Sequence, residues 1–235
     1  MKLLAFDTST EWLSVAVRRD GREWVYSGVG GAQSSAALIP CVLDLLTQAE
    51  LAPGDLDAIV FGRGPGSFTG LRTACSVAQG LAFGARQGQG AGVPVLPVDT
   101  LLAVAEAARI QSGATRVLAL LDARMDEVYS AAYIWDGAAW ACSAGISVGK
   151  PEQLAVPAGP DWVLAGNVWA SYGDRLPAAL VDLPRIEAVP NAPALLSLAP
   201  ALLTAGLAVS ADQALPLYIR DKVAQTTAER AAANR

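Results

Sequence analysis

The sequence of 235 residues contains no histidine, and this absence excludes several kinds of catalytic site. Histidine is the commonest metal ligand in proteins and the usual general base beside a serine or cysteine nucleophile. A histidine-bound metal, a Ser–His–Asp triad and a Cys–His pair are therefore all impossible here. Any acid–base chemistry would depend on Asp, Glu, Lys or Tyr side chains.

Charged residues are also scarce, at 17% of the chain, and the net charge of -5 is acidic. An acidic chain does not supply the phosphate neutralisation that sustains affinity for nucleic acids. Direct binding to RNA or DNA would therefore need a basic partner. The hydrophobic fraction of 53% excludes general disorder and provides enough apolar residues for a large core.

The three cysteines, Cys41, Cys75 and Cys142, are far apart and show no C-x-x-C spacing. Neither a disulfide framework nor a thiolate metal site is expected, and a reducing compartment fits best. The N-terminal apolar run ends at Asp7, too early for the apolar core of a secretory signal. These features predict a cytoplasmic protein.

One uncharged stretch, residues 188–211, has the length of a membrane span. However, it contains Pro190, Pro193 and Pro200, which divide it into short pieces. We therefore expect a packed helix there and no association with a membrane.

An internal duplication predicts the fold. Each half begins with three predicted strands, with an aspartate after the first strand and an Asp-Gly turn between the second and third. Three antiparallel strands, then helix, strand and helix, occurring twice, form the α/β pattern of the actin-like ATPase and sugar kinase fold, whose halves enclose a nucleotide cleft. Chance similarity between two α/β segments is the alternative. The strands are predicted at residues 2–6, 12–18, 23–27 and 57–62, and at 117–121, 128–134, 139–143 and 161–166.

The duplication also predicts the domain limits. A helical run that starts near Thr100 is broken at Gln111-Ser112-Gly113. We therefore place one subdomain at residues 1–112, a second and degenerate one at 113–212, and a C-terminal tail at 213–235, whose end is expected to fray.

A glycine-rich loop at residues 62–72 follows an apolar strand and opens a helix. This arrangement can present backbone N–H groups to a phosphate. The loop nevertheless lacks the glycine spacing of a dinucleotide fingerprint and the lysine of a Walker-type loop. It predicts an anion cradle, formed by Gly64, Gly66 and Ser67, without the usual nucleotide-binding attachments.

The two aspartates after the first strands, Asp7 and Asp122, occupy the positions that hold a metal and orient water in actin-like ATPases. Residues 7–10 have an equally good structural explanation, because hydroxyl and carboxylate groups satisfy a tight turn. Arg124 stands where a phosphate-binding turn needs a small residue. It can contact an anion, but we favour pairing with Asp7, Asp126 or Glu127 in a disused cleft. The candidate binding residues are Asp7, Thr8, Ser9, Thr10, Gly64, Gly66, Ser67, Asp122 and Arg124.

Two helices, one starting near Leu38 and one over residues 71–83, are apolar on nearly every side. One side can cover the sheet, and the other then needs a partner helix, which small residues at four-residue spacing allow to approach closely. Burial inside the chain is the alternative. The candidate docking residues are Leu38, Val42, Leu46, Ala74, Ala78 and Leu81.

Five motifs together resemble the bacterial TsaB (YeaZ) family over nearly the whole chain. One difference is Gln33, where many members of the family have histidine, so any role of that histidine is missing here. The motifs are Asp-Thr-Ser-Thr at 7–10, the glycine loop at 62–72, Ala-Gln-Gly-Leu-Ala at 78–82, residues 122–129, and Pro-Leu-Tyr-Ile-Arg at 216–220.

This resemblance implies an actin-like fold and a non-catalytic subunit in the synthesis of threonylcarbamoyladenosine. The paralogue TsaD, which carries a histidine-bound metal, transfers the threonylcarbamoyl group to the adenosine 3' of the anticodon in tRNAs reading ANN codons. TsaB supports TsaD, the ATPase TsaE joins the assembly, and tRNA is met only through the complex. The first two helices form the surface shared with TsaD, or a homodimer when TsaD is absent. No cofactor or metal is expected, although weak binding of ATP or ADP at the complex stays open.

Two other functions are considered. An active ATPase or small-molecule kinase would use Asp7 and Asp122 with Mg²⁺, and it predicts turnover by the isolated chain. A peptidase, which an older label of the TsaD family indicates, needs a metal site that this chain cannot build with histidine.

Overall fold

The computed structural model describes residues 1–85 and 92–220, and these residues form two five-stranded mixed sheets. The first sheet has the order β3-β2-β1-β4-β5. In it β1 is antiparallel to β2 and parallel to β4, so the strand that carries Asp7 lies at the centre. The strands are β1 Leu3–Asp7, β2 Trp12–Arg19, β3 Arg22–Val29, β4 Ala58–Gly64 and β5 Val95–Asp99.

The second sheet repeats this topology with the order β8-β7-β6-β9-β10. Its central strand β6 is antiparallel to β7 and parallel to β9, and it carries Asp122. The predicted duplication is therefore confirmed strand by strand. These strands are β6 Arg116–Arg124, β7 Glu127–Trp135, β8 Trp140–Gly149, β9 Val163–Gly166 and β10 Arg185–Glu187.

The helices depart from the prediction in two places. The second half has no helix between β8 and β9, only a 3-10 turn at Pro151–Gln153, because Pro151, Pro157 and Pro160 interrupt this stretch. The first helix begins at Ser34 rather than near Leu38, and it accommodates Pro40 in its interior. The helices are α1 Ser34–Gln48, α2 Phe68–Gly84, α3 Thr100–Ser112, α4 Trp169–Tyr172, α5 Ala178–Val181 and α6 Ala192–Thr204.

Some helices pack against the sheet of the other half of the chain. Helices α1 and α2 cover one face of the first sheet, while α6, from the second half, covers the other. Helix α3 packs on the second sheet and on α6. Each half of the chain therefore supplies a helix to the packing of the other, although the strand topology repeats on either side of residue 113.

Within the uncharged stretch at residues 188–211, Ala192–Thr204 form α6, as expected of a packed helix. Leu195, Leu196 and Ala199 on this helix are fully buried against the first sheet. No helix within residues 1–85 and 92–220 is long and apolar enough to cross a membrane. Of the predicted tail, residues 213–220 run along the body of the protein and residues 221–235 lie outside the described residues.

Candidate functional site

A cleft of about 410 Å³ lies where the first turns of the two halves meet. Parallel strands end at the same edge of a sheet, so the loops after β1 and β4 come together on one wall, and those after β6 and β9 on the other. Six of the predicted binding residues line this cleft, and Asp7, Thr8 and Gly64 do not. The six are Ser9, Thr10, Gly66, Ser67, Asp122 and Arg124.

The cleft also contains residues that were not among the predicted binding residues. Asn167 follows β9, at the position where the first half has its glycine loop, and its side-chain oxygen accepts a hydrogen bond of 3.0 Å from the backbone N–H of Asp122. Tyr129 and residues 217–220 complete the wall. The motif at residues 216–220 supported the resemblance, but nothing in its spacing placed it in the cleft.

The glycines of the loop make room for the chain's own first turn. A Cβ atom at Gly70 would lie 1.8 Å from the carbonyl oxygen of Thr8, and one at Gly66 would lie 2.5 Å from that of Ser9. Contacts this short are impossible without moving backbone, so glycine is required at both positions for packing. The first turn of the chain therefore packs directly against the backbone of these glycines.

Hydrogen bonds fasten the first turn to the glycine loop. The Thr8 hydroxyl donates to the carbonyl of Gly70 at 2.7 Å, and the Ser67 N–H donates to the carbonyl of Ser9 at 2.7 Å. Ser67 is also the N-cap of α2, as its side chain accepts from the Gly70 N–H at 3.4 Å. The N–H of Ser67, which an anion cradle would present to its ligand, is therefore already bonded within the chain.

Asp7 lies behind this turn, with 1% of its surface exposed. Its Oδ1 accepts hydrogen bonds from the Ser9 backbone N–H at 2.8 Å and the Ser9 hydroxyl at 2.6 Å. Its Oδ2 has no hydrogen-bond partner among the described residues and faces Gly62, where a Cβ would lie 1.8 Å away. Burial raises the pKa of Asp7 to about 6, against the lowering effect of the Ser9 hydrogen bonds.

Both carboxylate oxygens of Asp122 have partners within the chain. Its Oδ1 accepts from the Arg124 backbone N–H at 2.7 Å and from the Tyr172 hydroxyl at 3.1 Å. Its Oδ2 lies 3.2 Å from the guanidinium of Arg124. Arg124 thus forms an ion pair at the edge of the cleft, but its partner is Asp122 and not the Asp7, Asp126 or Glu127 that we considered.

The two aspartates do not form a ready metal site. Asp7 is closed off from the cleft, and both oxygens of Asp122 are engaged. Within residues 1–85 and 92–220, no group of three or more Cys, Asp or Glu side chains is arranged to hold a metal ion. The arrangement does not fit the Mg²⁺ that an ATPase of this fold would require.

The turn that follows Asp122 has an unusual backbone. Arg124, Met125 and Asp126 have φ angles of 59°, 55° and 65°, in the left-handed region that costs roughly 1–2 kcal/mol for each non-glycine residue. We call these three residues the left-handed turn. Arg175 and Lys150 donate to the carboxylate of Asp126 and hold its pKa well below the usual range.

Five of the six candidate docking residues are buried in the core. Leu38, Val42, Leu46, Ala74 and Ala78 are at most 2% exposed and pack against the first sheet, which corrects their assignment to a docking surface. Leu81 is partly exposed. The sequence could not separate the two sides of these helices, because both sides are apolar.

The opposite side of α1 and α2 is exposed and carries large apolar side chains. Ile39 and Leu43 of α1 are 46% and 48% exposed, and Phe83 of α2 is 75% exposed. Gly80 and Gly84 lie one turn apart on α2, and a Cβ atom added at either position would meet no atom within 4 Å. We call these five residues the exposed helical face.

Comparison with known proteins agrees with this architecture. A family model described as "TsaD: tRNA N6-adenosine threonylcarbamoyltransferase" matches residues 29–228. The "tRNA threonylcarbamoyladenosine biosynthesis protein TsaB" of Escherichia coli K12 is 36% identical over 229 residues, covering 95% of this chain and 96% of that protein. The protein of the same name from Haemophilus influenzae is 34% identical over 234 residues, covering 95% of each chain.

A solved structure, "YeaZ from Pseudomonas aeruginosa", shares the fold with a TM-score of 0.83 and 43% identity, covering 92% of this chain and 99% of that one. A second structure from the same organism, with "similarity to peptidase YEAZ", has a TM-score of 0.84 at 43% identity and covers 93% of this chain and 99% of that one. The two matching sheets and these similarities establish the duplicated actin-like fold. The chain belongs to the TsaB (YeaZ) family.

Proposed function

We propose that this chain is a non-catalytic subunit of the machinery that makes threonylcarbamoyladenosine in tRNA. The proposal is supported by its relatives, which are named as threonylcarbamoyladenosine biosynthesis proteins. In the proposal, TsaD transfers the threonylcarbamoyl group to the adenosine 3' of the anticodon in tRNAs reading ANN codons. This chain docks on TsaD in the cytoplasm, TsaE joins the assembly, and tRNA is met only through the complex.

The observation that carries the non-catalytic role is the packing of the glycine loop against the first turn of the chain. In a phosphate-binding loop, glycines let the backbone approach the ligand and leave N–H groups free to bind it. Here Gly66 and Gly70 admit the chain's own turn, and the Ser67 N–H is bonded to Ser9. Asp122 likewise forms an ion pair with Arg124.

The exposed helical face supports docking on another helix. Phe83 is three-quarters exposed and Ile39 and Leu43 are about half exposed, and in the proposal they form one apolar patch of the kind that marks an interaction site. Glycine inside a helix costs about 1 kcal/mol relative to alanine, so Gly80 destabilises the isolated chain without any internal packing reason. A partner helix that approaches closely at Gly80 and Gly84 explains both features. TsaD is the proposed partner, and a second copy takes its place when TsaD is absent.

Size-exclusion chromatography with light scattering, on this chain mixed with TsaD from the same organism, tests the docking. Leu43→Glu places a charge on the exposed helical face without disturbing the core, and it should abolish the mixed complex. Leu207→Glu is the matched control, because Leu207 is 52% exposed but lies beyond α6. Ala78→Glu would be uninformative, since a charge at the fully buried Ala78 would unfold the chain itself. A complex that survives Leu43→Glu removes this face from the proposal.

The alternative, an ATPase or small-molecule kinase, is favoured by one observation. The cleft volume of about 410 Å³ lies within the roughly 300–1,000 Å³ of typical ligand sites, so weak binding of ATP or ADP stays part of the proposal. ATP hydrolysis by the isolated chain would support catalysis if the substitution Asp122→Asn abolished it. Absence of turnover in both proteins would support the partner role.

A further inference from the structure

The last described segment, residues 215–220, runs along the cleft and contributes four residues to its wall. We call this segment the strap. Its first anchor is on the glycine loop, where the Leu217 N–H donates to the carbonyl of Arg63 at 2.7 Å. A Cβ atom at Gly64 would lie 2.5 Å from the carbonyl oxygen of Leu217, and the φ of Gly64 is 125°. Gly64 is therefore shaped to receive the strap.

The same anchor continues onto the first turn of α2. The ring of Tyr218 lies 5.5 Å from that of Phe68, and its hydroxyl accepts a hydrogen bond of 3.1 Å from Nε of Arg72. The guanidinium of Arg72 lies 3.8 Å from the centroid of the Phe68 ring. These three side chains form one stack in which a cation covers an aromatic face.

The second anchor is Arg220, which binds the left-handed turn of the other half. Its Nη2 donates to the carbonyl oxygens of Ala123 at 3.3 Å and Arg124 at 3.4 Å, and it pairs with the carboxylate of Glu127. Its Nη1 lies 3.1 Å from the sulfur of Met125. The guanidinium thus supports a backbone conformation that these residues adopt only at a cost.

We propose that the strap is a clamp, which holds the two walls of the cleft together and couples them. Between its anchors the strap has only Ile219, so neither anchor can move far while the other is held. Loss of the Arg220 contacts frees the left-handed turn and also loosens the glycine loop on the opposite wall. This property belongs to the isolated chain and does not depend on the proposed partner.

Amide hydrogen exchange on the full chain tests the coupling across the cleft. In Arg220→Ala, exchange should rise about tenfold not only at residues 122–127 but also at residues 63–72, which Arg220 does not touch. Tyr218→Ala should produce the reciprocal change, faster exchange at residues 122–127. Arg116→Ala is the control, because Arg116 lies on β6 and bonds the carbonyl of Pro160, away from the strap.

Two milder variants keep the test decisive if the alanine variants unfold. Tyr218→Phe removes only the hydrogen bond from Arg72, and Arg220→Lys keeps the charge but loses the forked geometry that reaches several acceptors. Each should raise exchange at the opposite anchor by a smaller factor. Faster exchange confined to the altered anchor in every variant, or no difference from Arg116→Ala, would overturn the clamp.

Discussion

Arg18 of β2 donates a hydrogen bond of 2.8 Å from Nη1 to the carbonyl oxygen of Leu196 in α6. That carbonyl would normally accept from the N–H of residue 200, but Pro200 has none. A strand of the first half thereby satisfies a backbone group that a proline of the second half leaves open. Pro40 in α1 leaves the carbonyl of Ala36 open in the same way, but Ala36 is exposed and water can satisfy it.

We expect Arg18→Met to lower the free energy of unfolding by about 1–3 kcal/mol, because the buried carbonyl of Leu196 loses its donor. In a Pro200→Ala background, the new N–H can take this carbonyl, and the cost of Arg18→Met should fall. The ion pair of Arg18 with Glu23 is lost in both backgrounds, so it cancels from the difference between the two costs of Arg18→Met. Urea titrations of the four proteins measure the coupling, and an unchanged cost in both backgrounds would refute the explanation.

Substitution of two glycines of α2 separates packing from docking. Gly70→Ala should destabilise the chain by about 3 kcal/mol or more, since the new methyl group would collide with the Thr8 carbonyl. Gly80→Ala should instead stabilise the isolated chain by up to about 1 kcal/mol, because its Cβ meets open space. Thermal unfolding of both variants measures the difference. Equal tolerance at the two positions would contradict the close packing of the first turn in the glycine loop.

The small size of Gly80 matters for a different reason in the complex. Gly80→Leu should leave the isolated chain folded and still weaken the mixed complex with TsaD at least about tenfold, because a partner helix could no longer approach closely. Titration of TsaD by calorimetry gives the affinity. Full affinity in Gly80→Leu would mean that no helix packs at this point.

Asp7 makes stability depend on pH. Its pKa is about 6 in the folded chain and 3.8 when unperturbed, so the folded state binds the proton more tightly between these values. Its contribution is fully present below about pH 4 and is lost as the pH rises through about 6, a change of about 3 kcal/mol. Asp7→Asn keeps an oxygen for Ser9 and cannot titrate, so it should lack this decline. Asp174 is exposed, so Asp174→Asn should retain the decline in stability with rising pH. Parallel profiles of stability against pH for wild type and Asp7→Asn would disprove the assignment of this decline to Asp7.

Glu106 of α3 ties the two halves together through a buried cluster. With 1% exposure, its carboxylate accepts from Arg109 at 2.7 Å, from Trp140 of β8 at 2.8 Å and from Ser197 of α6 at 2.5 Å. Burial alone would raise the pKa of Glu106, but these hydrogen bonds and the Arg109 charge lower it below its ordinary value of 4.5.

Glu106→Gln should therefore cost about 2–4 kcal/mol at neutral pH, because Arg109 and Ser197 lose a charged acceptor. The stabilisation by Glu106 is present above its unfolded pKa and is lost as the pH falls through the folded value. The difference between wild type and Glu106→Gln should shrink in acid, opposite in sign to the effect of Asp7. A difference that stays constant from neutral pH down to strong acid would show that the charge contributes nothing.

Much of the fold was predictable from local patterns. Alternating strands, the turns at Asp20-Gly21 and Asp136-Gly137, and the repeated aspartates indicated the duplicated sheets. The missing helix of the second half could be read from Pro151, Pro157 and Pro160 once the connection was located. The crossing of α6 onto the first sheet could not, because an apolar helix does not specify which sheet it covers.

The candidate site was predictable only in part, for a similar reason. Turn residues such as Ser9 and Asp122 carry a chemical signal in the sequence, and they do line the cleft. The roles of Gly70 and Arg220 depend on contacts with residues that are distant along the chain, which no local pattern encodes. The exposed side of α2 is distinguished from its buried side only by packing against the sheet.

We propose that the exposed helical face, and not the cleft, carries the function. Threonylcarbamoyl transfer to tRNA, measured in a reconstituted system that contains TsaD, TsaE and the synthase of the threonylcarbamoyl donor, tests this proposal. Leu43→Glu should lose most of the modification, while Asp122→Asn should keep it, because the hydrogen bonds of the Asp122 carboxylate hold only the local structure around its turn and Tyr172. Loss of modification in Asp122→Asn with retention in Leu43→Glu would instead make the cleft the functional site.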